Sequence, residues 1–221
     1  MAADAAFSGA DAAGISEVPE TFIQAIPVAF LFSVVWRLRR CIAAVEFEAV
    51  IAGVAPGRWS APSPCPGWTA ADVAGHVIGD LRATEVVPRG RYEQRADHDP
   101  GSVAGDDPLA AWRAARADMM AALDSGALAR LVRGPWGRMP LGEILEQGAM
   151  EFVVHTWDVA QATGQVAVLD PGLVHAALGP ARRFAPLTRS SGLAGPECAV
   201  PEDADDLIRL LAIFGRRNTG G

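Results

Sequence analysis

Glu151, His155 and Asp158 stand four and three residues apart in "EFVVHTWDVAQATG" (151–164), a run that is otherwise largely apolar and aromatic. On a helix, a carboxylate and an imidazole one turn apart share a face and can reach a common point. Ile144, Gly148, Glu151, His155, Asp158 and Ala162 recur at steps of three and four, so they form one stripe, mostly small or apolar. Burying an unpaired carboxylate there is costly. A divalent cation would neutralise it and use the lone pair of a neutral imidazole. Two ligands make a weak site. His76, in "TAADVAGHVIGDL", shares a face with Val73, Val77 and Asp80 and supplies a third inward donor. Two histidines and one carboxylate leave positions open for water or substrate, the arrangement of a catalytic and not of a closed structural metal site. The plainer reading of Glu151 and His155 is a surface pair at i,i+4, and spacing alone leaves both readings open.

Other polar residues are weighed the same way. Asp158 is a candidate for orienting a ligand histidine from behind, or for a fourth ligand, against a solvated or capping Asp. Asp80, one turn beyond His76, is a candidate for the same orienting role, with an ordinary exposed carboxylate the plainer reading. Cys65, between prolines in "PSPCPGW" with no basic neighbour in sequence, reads as a buried structural thiol, as do Cys41 and Cys198. His98 and His175 read as ordinary surface residues. Trp59, Trp68 and Trp157 read as packing in core and loop and not as a substrate platform.

The elements that must position these groups are helical. After a lead-in over residues 1–20, rich in Ala, Gly and Ser and expected to be disordered, a long helix is predicted over 27–54, with Pro27 in its first turn. "APGRWSAPSPCPGW" (55–68) is a loop. Thr69 starts a second helix to about Val87, with Asp72 completing a capping box. Residues 88–107 form a long connection. Pro108 opens a third helix ending near Ser125 and Gly126, "RGPWGRMP" (133–140) is a turn, and a fourth helix runs from Leu141 to a cap at Gly164. Asp170 and Pro171 open a fifth helix to residue 184; the loop beyond it could hold a short strand, and "EDADDLIRLLAIFG" forms a sixth helix with an acidic first turn. No stretch of strand period is long enough for a sheet. The expected fold is all-α: a four-helix bundle over 21–165 with a small, mainly helical extension over 166–221 packed on it.

Composition narrows the class. A net charge of -7 argues against a general nucleic-acid binder. All 19 basic residues are arginine, a mark of a high-GC genome more than of chemistry. The three cysteines include no CxxC pair, which disfavours a disulfide framework or zinc ribbon and suits a reducing cytoplasm. The apolar run at 22–36 is shorter than the roughly 20 residues a bilayer needs and contains Pro27, so it is expected to be a buried helix and not a membrane span.

Three blocks carry a resemblance. "RWSAPSPCPGWTAADVAGHV", "EFVVHTWDVAQATGQ" and the C-terminal "PEDADDLIRLLAIFGRR" together resemble the mycothiol-dependent maleylpyruvate isomerase family, among the DinB-like metal-binding bundles. They look most like its single-domain branch. The resemblance implies a DinB-like four-helix bundle whose metal, usually zinc (Zn2+), is held at His76, Glu151 and His155, the trio already picked by face. It implies mycothiol as cosubstrate, ionised on the metal to attack a small electrophile, giving isomerisation or S-transfer. Residues 1 to about 40 fall outside the family pattern, so the authentic start is expected further along the chain. The ending "GRRNTGG" stands where relatives often carry Gly-Arg-Asp-Pro. The isomerase proper holds a substrate carboxylate with an arginine of a second domain; Arg216 and Arg217 are the candidates here. The partners expected are small molecules only, with no nucleic acid and no membrane, for a monomer or homodimer. The alternative is a non-catalytic metal-binding bundle with a sensing, regulatory or structural role.

Overall fold

In the computed structural model, residues 28–86, 99–123, 127–134, 137–190 and 194–217 are described, with side chains of the first helix described from Leu38 onward. The expected lead-in over 1–20 lies outside these residues, as do His98 and the burial expected for side chains 22–36. The chain runs α1 (Val28–Ala52), α2 (Ala70–Val86), α3 (Pro100–Ala104), α4 (Pro108–Ala122), a 3-10 turn (Ala127–Ala129), β1 (Leu131–Gly134), β2 (Gly137–Pro140), α5 (Leu141–Thr163), α6 (Pro171–Ser190) and α7 (Asp206–Ile213).

Local chemistry accounts for most of the ends. The Thr69 backbone N–H donates to Asp72 Oδ2 at 2.8 Å and the Asp72 N–H returns to Thr69 Oγ1 at 3.2 Å, so the capping box forms as predicted. Asp107 caps α4 by accepting from the Ala110 N–H at 3.0 Å, with Pro108 in the first turn. Gly164 closes α5 in the left-handed region at φ 78°.

Helices α1, α5, α2 and α4 pack in a closed ring, α1 against α5, α5 against α2, α2 against α4 and α4 against α1. This is the all-α, DinB-like four-helix bundle that the sequence predicts. Its centre holds Phe47, Trp112 and Phe152, from three different helices, with ring centroids 4.8 Å apart for Phe47 and Trp112 and 5.3 Å for Trp112 and Phe152. The apolar core continues into Leu173, Val174, Ala177 and Ala181 of α6 and Leu210 and Leu211 of α7. Among the described residues, no helix is long and apolar enough to cross a membrane.

Four expectations need correction. The turn at 133–140 belongs to an antiparallel hairpin, with Leu131 opposite Pro140 and Gly134 opposite Gly137. Two short strands are marginal alone; Val132 is held by packing on Leu141, Ile144 and Leu145. The fifth helix continues past residue 184 to Ser190, through Pro180 and Pro186. Its face of Leu173, Val174, Ala177, Ala181, Phe184, Ala185 and Thr188 is buried along the whole length, so packing outweighs two missing N–H donors. The loop after it has no strand among the described residues, and the sixth helix is shorter than predicted, beginning at Asp206 with Asp205 as its cap.

Candidate functional site

Helices α2 and α5 pack together and bring His76 beside Glu151 and His155. All three line a cavity of about 360 Å³. Its remaining wall is largely apolar, with Trp68 and its proline-rich loop on one side and Met150, Val154 and Phe214 on the others. Trp68, read from sequence as packing, therefore faces the cavity, and its ring lies 5.2 Å from that of His76.

The acid and imidazole groups fall into two clusters. In the first, His76, Asp80 and Glu151 offer ligand atoms within 4.8 Å of one another. His76 Nε2 is 3.6 Å from Asp80 Oδ2 and 4.0 Å from Glu151 Oε2, ion-pair separations longer than a hydrogen bond. Gln147 donates to Glu151 Oε1 at 3.0 Å. In the second, Cys65, His155 and Asp158 lie equally close and are buried. The His76 and His155 rings join the clusters edge to face, with centroids 5.1 Å apart. The predicted trio is thus gathered at one cavity but divided between two clusters, and Asp80 stands closer to it than an ordinary exposed carboxylate would.

Asp158 lies behind His155, with Oδ2 at 2.9 Å from its Nδ1. Arg216 grips the same carboxylate through Nε to Oδ1 at 3.1 Å and Nη2 to Oδ2 at 2.7 Å. The Cys65 thiol also donates to Oδ2, at 3.3 Å, and receives Arg216 Nη2 at 3.1 Å. Cys65 is buried as expected, but the absence of a basic neighbour holds only in sequence: 151 positions separate it from Arg216. Arg216 lines the cavity with its fork already on Asp158, whereas Arg217 is exposed and does not line it. His175 is a surface residue, 2.7 Å from Asp206, and Cys41 is exposed where a buried thiol was expected.

Electrostatics follow from burial. Desolvation holds both imidazoles below their usual pKa despite the nearby carboxylates, which favours the neutral form a cation binds. Glu151 is pushed up to about 7, first by burial and then by the charge and hydrogen bond of Asp80. Burial would also raise Asp158, but the His155 hydrogen bond and the Arg216 guanidinium outweigh it and hold Asp158 down at about 2. Burial, with Asp158 adding to it, pushes the Cys65 thiol up to about 12, which disfavours the nucleophilic thiolate.

Arg40 was not singled out from sequence. Its side chain is buried between α1 and α5, donating from Nη1 to the Leu145 carbonyl at 3.0 Å with its guanidinium 5.0 Å from the Phe152 ring centre. The signal was its place on the stripe Arg40, Ala43, Phe47 and Ile51, all buried. Burial lowers its pKa to about 10, against the opposing pull of Asp80, Cys41 and Glu151.

The fold is a DinB-like bundle in which two histidines and a carboxylate from facing helices line one cavity. Residues 42–160 match the family described as the mycothiol maleylpyruvate isomerase N-terminal domain, and the chain belongs to that family. It is similar to uncharacterized proteins from two strains of Mycobacterium tuberculosis, each 31% identical over 175 residues, covering 77% of this chain and 91% of theirs. Crystal structures of the mycothiol-dependent maleylpyruvate isomerase and of a histidine-to-alanine mutant align with TM-scores of 0.53 and 0.52 at 18% identity, over 73% of each chain, a likeness of fold.

Proposed function

We propose that this protein is a divalent-metal- and thiol-dependent enzyme, an isomerase or S-transferase acting on a small electrophile. The observation that carries the proposal is the gathering of His76, Glu151 and His155 on one cavity whose remaining lining is largely apolar. The donor set suits a divalent cation, for burial favours the neutral form of both imidazoles and Glu151 lines the same cavity. His76, Glu151 and His155 would hold it, with zinc the first candidate. When bound, such a cation lowers the pKa of a thiol so that the nucleophilic thiolate is present at neutral pH. Mycothiol, named in the family's description, is the thiol we assign, and a reducing cytoplasm its natural setting.

The chain's own residues supply orientation and exclusion of water. Asp158 holds the His155 ring from behind. Trp68, Met150, Val154 and Phe214 give an electrophile an apolar surface beside the donors. Addition of the thiolate to a conjugated double bond, followed by its release, isomerises that bond; retention of the adduct is S-transfer.

The test is metal content by mass spectrometry for wild type and His155→Ala, then cobalt substitution with and without thiol. Near one equivalent in wild type, a sharp fall in the variant and a thiol-dependent cobalt spectrum are expected. Wild type that neither holds nor takes up metal would end the proposal. Tight metal with a spectrum indifferent to thiols would favour the non-catalytic bundle.

A further inference from the structure

Helix α7 ends in a turn that reaches back to the cavity. The Gly215 N–H donates to the Ala212 carbonyl and the Arg216 N–H to the Leu211 carbonyl, both at 3.0 Å, the Schellman pattern. Gly215 sits at φ 77°, and a Cβ there would lie 2.9 Å from the Pro196 carbonyl oxygen, so this turn requires glycine. The turn returns the Arg216 side chain to the bundle, 9% exposed, onto an Asp158 side chain that is 0% exposed.

All the contacts on Asp158 can be assigned a direction. Arg216 donates to both oxygens, as a bidentate fork. The Cys65 S–H donates to Oδ2. Arg216 Nη1 is occupied by the Phe214 carbonyl at 3.1 Å. A carboxylate gripped on both oxygens by a guanidinium is an acceptor only. The His155 Nδ1 facing it therefore carries the ring proton, and Nε2 keeps the lone pair.

We propose that Arg216 is a positioning residue: acting through Asp158, it sets the tautomer and orientation of His155 and so presents Nε2 to the cavity. For its consequence this rests on the metal-site proposal above; for its geometry it does not. It also assigns Arg216 a role other than holding a substrate carboxylate.

Two readouts separate positioning from mere structural support. In ¹⁵N-histidine-labelled protein freed of metal, long-range ¹H–¹⁵N NMR reports which ring nitrogen of His155 bears the proton. Chelator competition reports zinc affinity. Wild type is expected to show one Nδ1–H tautomer. R216A is expected to show mixed tautomers and zinc binding weakened about 10- to 100-fold. R216K, which keeps the charge but loses the fork, is expected to fall between, and G215A to follow R216A in direction. An Nε2–H tautomer in wild type overturns the proposal. So does R216A that is folded by circular dichroism, with its tautomer unchanged and zinc affinity within about twofold of wild type. Should R216A fail to fold, the same criteria apply to R216K. If wild type takes no zinc yet the tautomer responds to R216K, the positioning role stands and the metal-site proposal falls.

Discussion

The two sides of the cavity are built differently. On the His155 side, His155, Asp158, Cys65 and Arg216, from three distant parts of the chain, are joined by contacts of 2.7 to 3.3 Å, with the Asp158 carboxylate fully buried. Around His76, the nearest carboxylates stand at 3.6 and 4.0 Å, and the His76 and Asp80 side chains are 30% and 40% exposed. One imidazole is fixed by its hydrogen bond to the buried Asp158. The other is placed by its helix and by Trp68, with two carboxylates at ion-pair distance but beyond hydrogen-bond reach. For the cation and substrate proposed above, a rigid side chain beside an adaptable one would reconcile positioning with access.

That contrast can be broken by mutation. Asp158→Ala strands the Arg216 charge in a buried setting and is expected to destabilise the metal-free protein by about 3–5 kcal/mol in urea unfolding. Glu151→Gln is expected to weaken zinc binding at least about tenfold, some 1.4 kcal/mol, by chelator competition. Its effect on metal-free stability should be much smaller than that of Asp158→Ala. Thr69→Ala, far from both clusters, removes a helix cap and is expected to cost about 1 kcal/mol.

The same cap gives a pH signature. Burial would raise the Asp72 pKa, but hydrogen bonds from the Thr69 side chain, the Thr69 N–H and the Gly101 N–H outweigh it and hold it below its usual 3.8. A depressed carboxylate stabilises the fold above its unfolded value, and that contribution is lost as pH falls through the folded one. The wild-type excess over Asp72→Asn should therefore shrink below about pH 4 in thermal melts. The smallest effect is expected for Asp80→Ala, below about 1 kcal/mol in the metal-free protein. An equal loss for Asp80→Ala and Asp158→Ala would erase the distinction between the two sides.

Much of this was legible in residue order because it is local. Thr69 with Asp72, Pro108 after Asp107, and Gly164 after a periodic apolar run each act within a turn of themselves. The stripe of Glu151, His155 and Asp158 is likewise a property of one helix. The course of α6 through Pro180 and Pro186 was not legible, since local preference argues for a stop and only the buried face beneath argues against it. Nor was the hairpin, whose strands are too short to show a period and depend on Leu141 and Leu145 for support. Cys65 looked solitary because its partners, Asp158 and Arg216, lie 93 and 151 positions away.

Sequence alone thus indicated most of the helices and their caps and made His76, Glu151 and His155 candidates, because periodicity and capping are short-range physics. Tertiary structure decided how those donors divide into two clusters, that Asp80 joins one of them, and that Arg216 grips Asp158. These are pairings between residues whose proximity is created by burial of distant apolar faces, and no spacing along the chain encodes them.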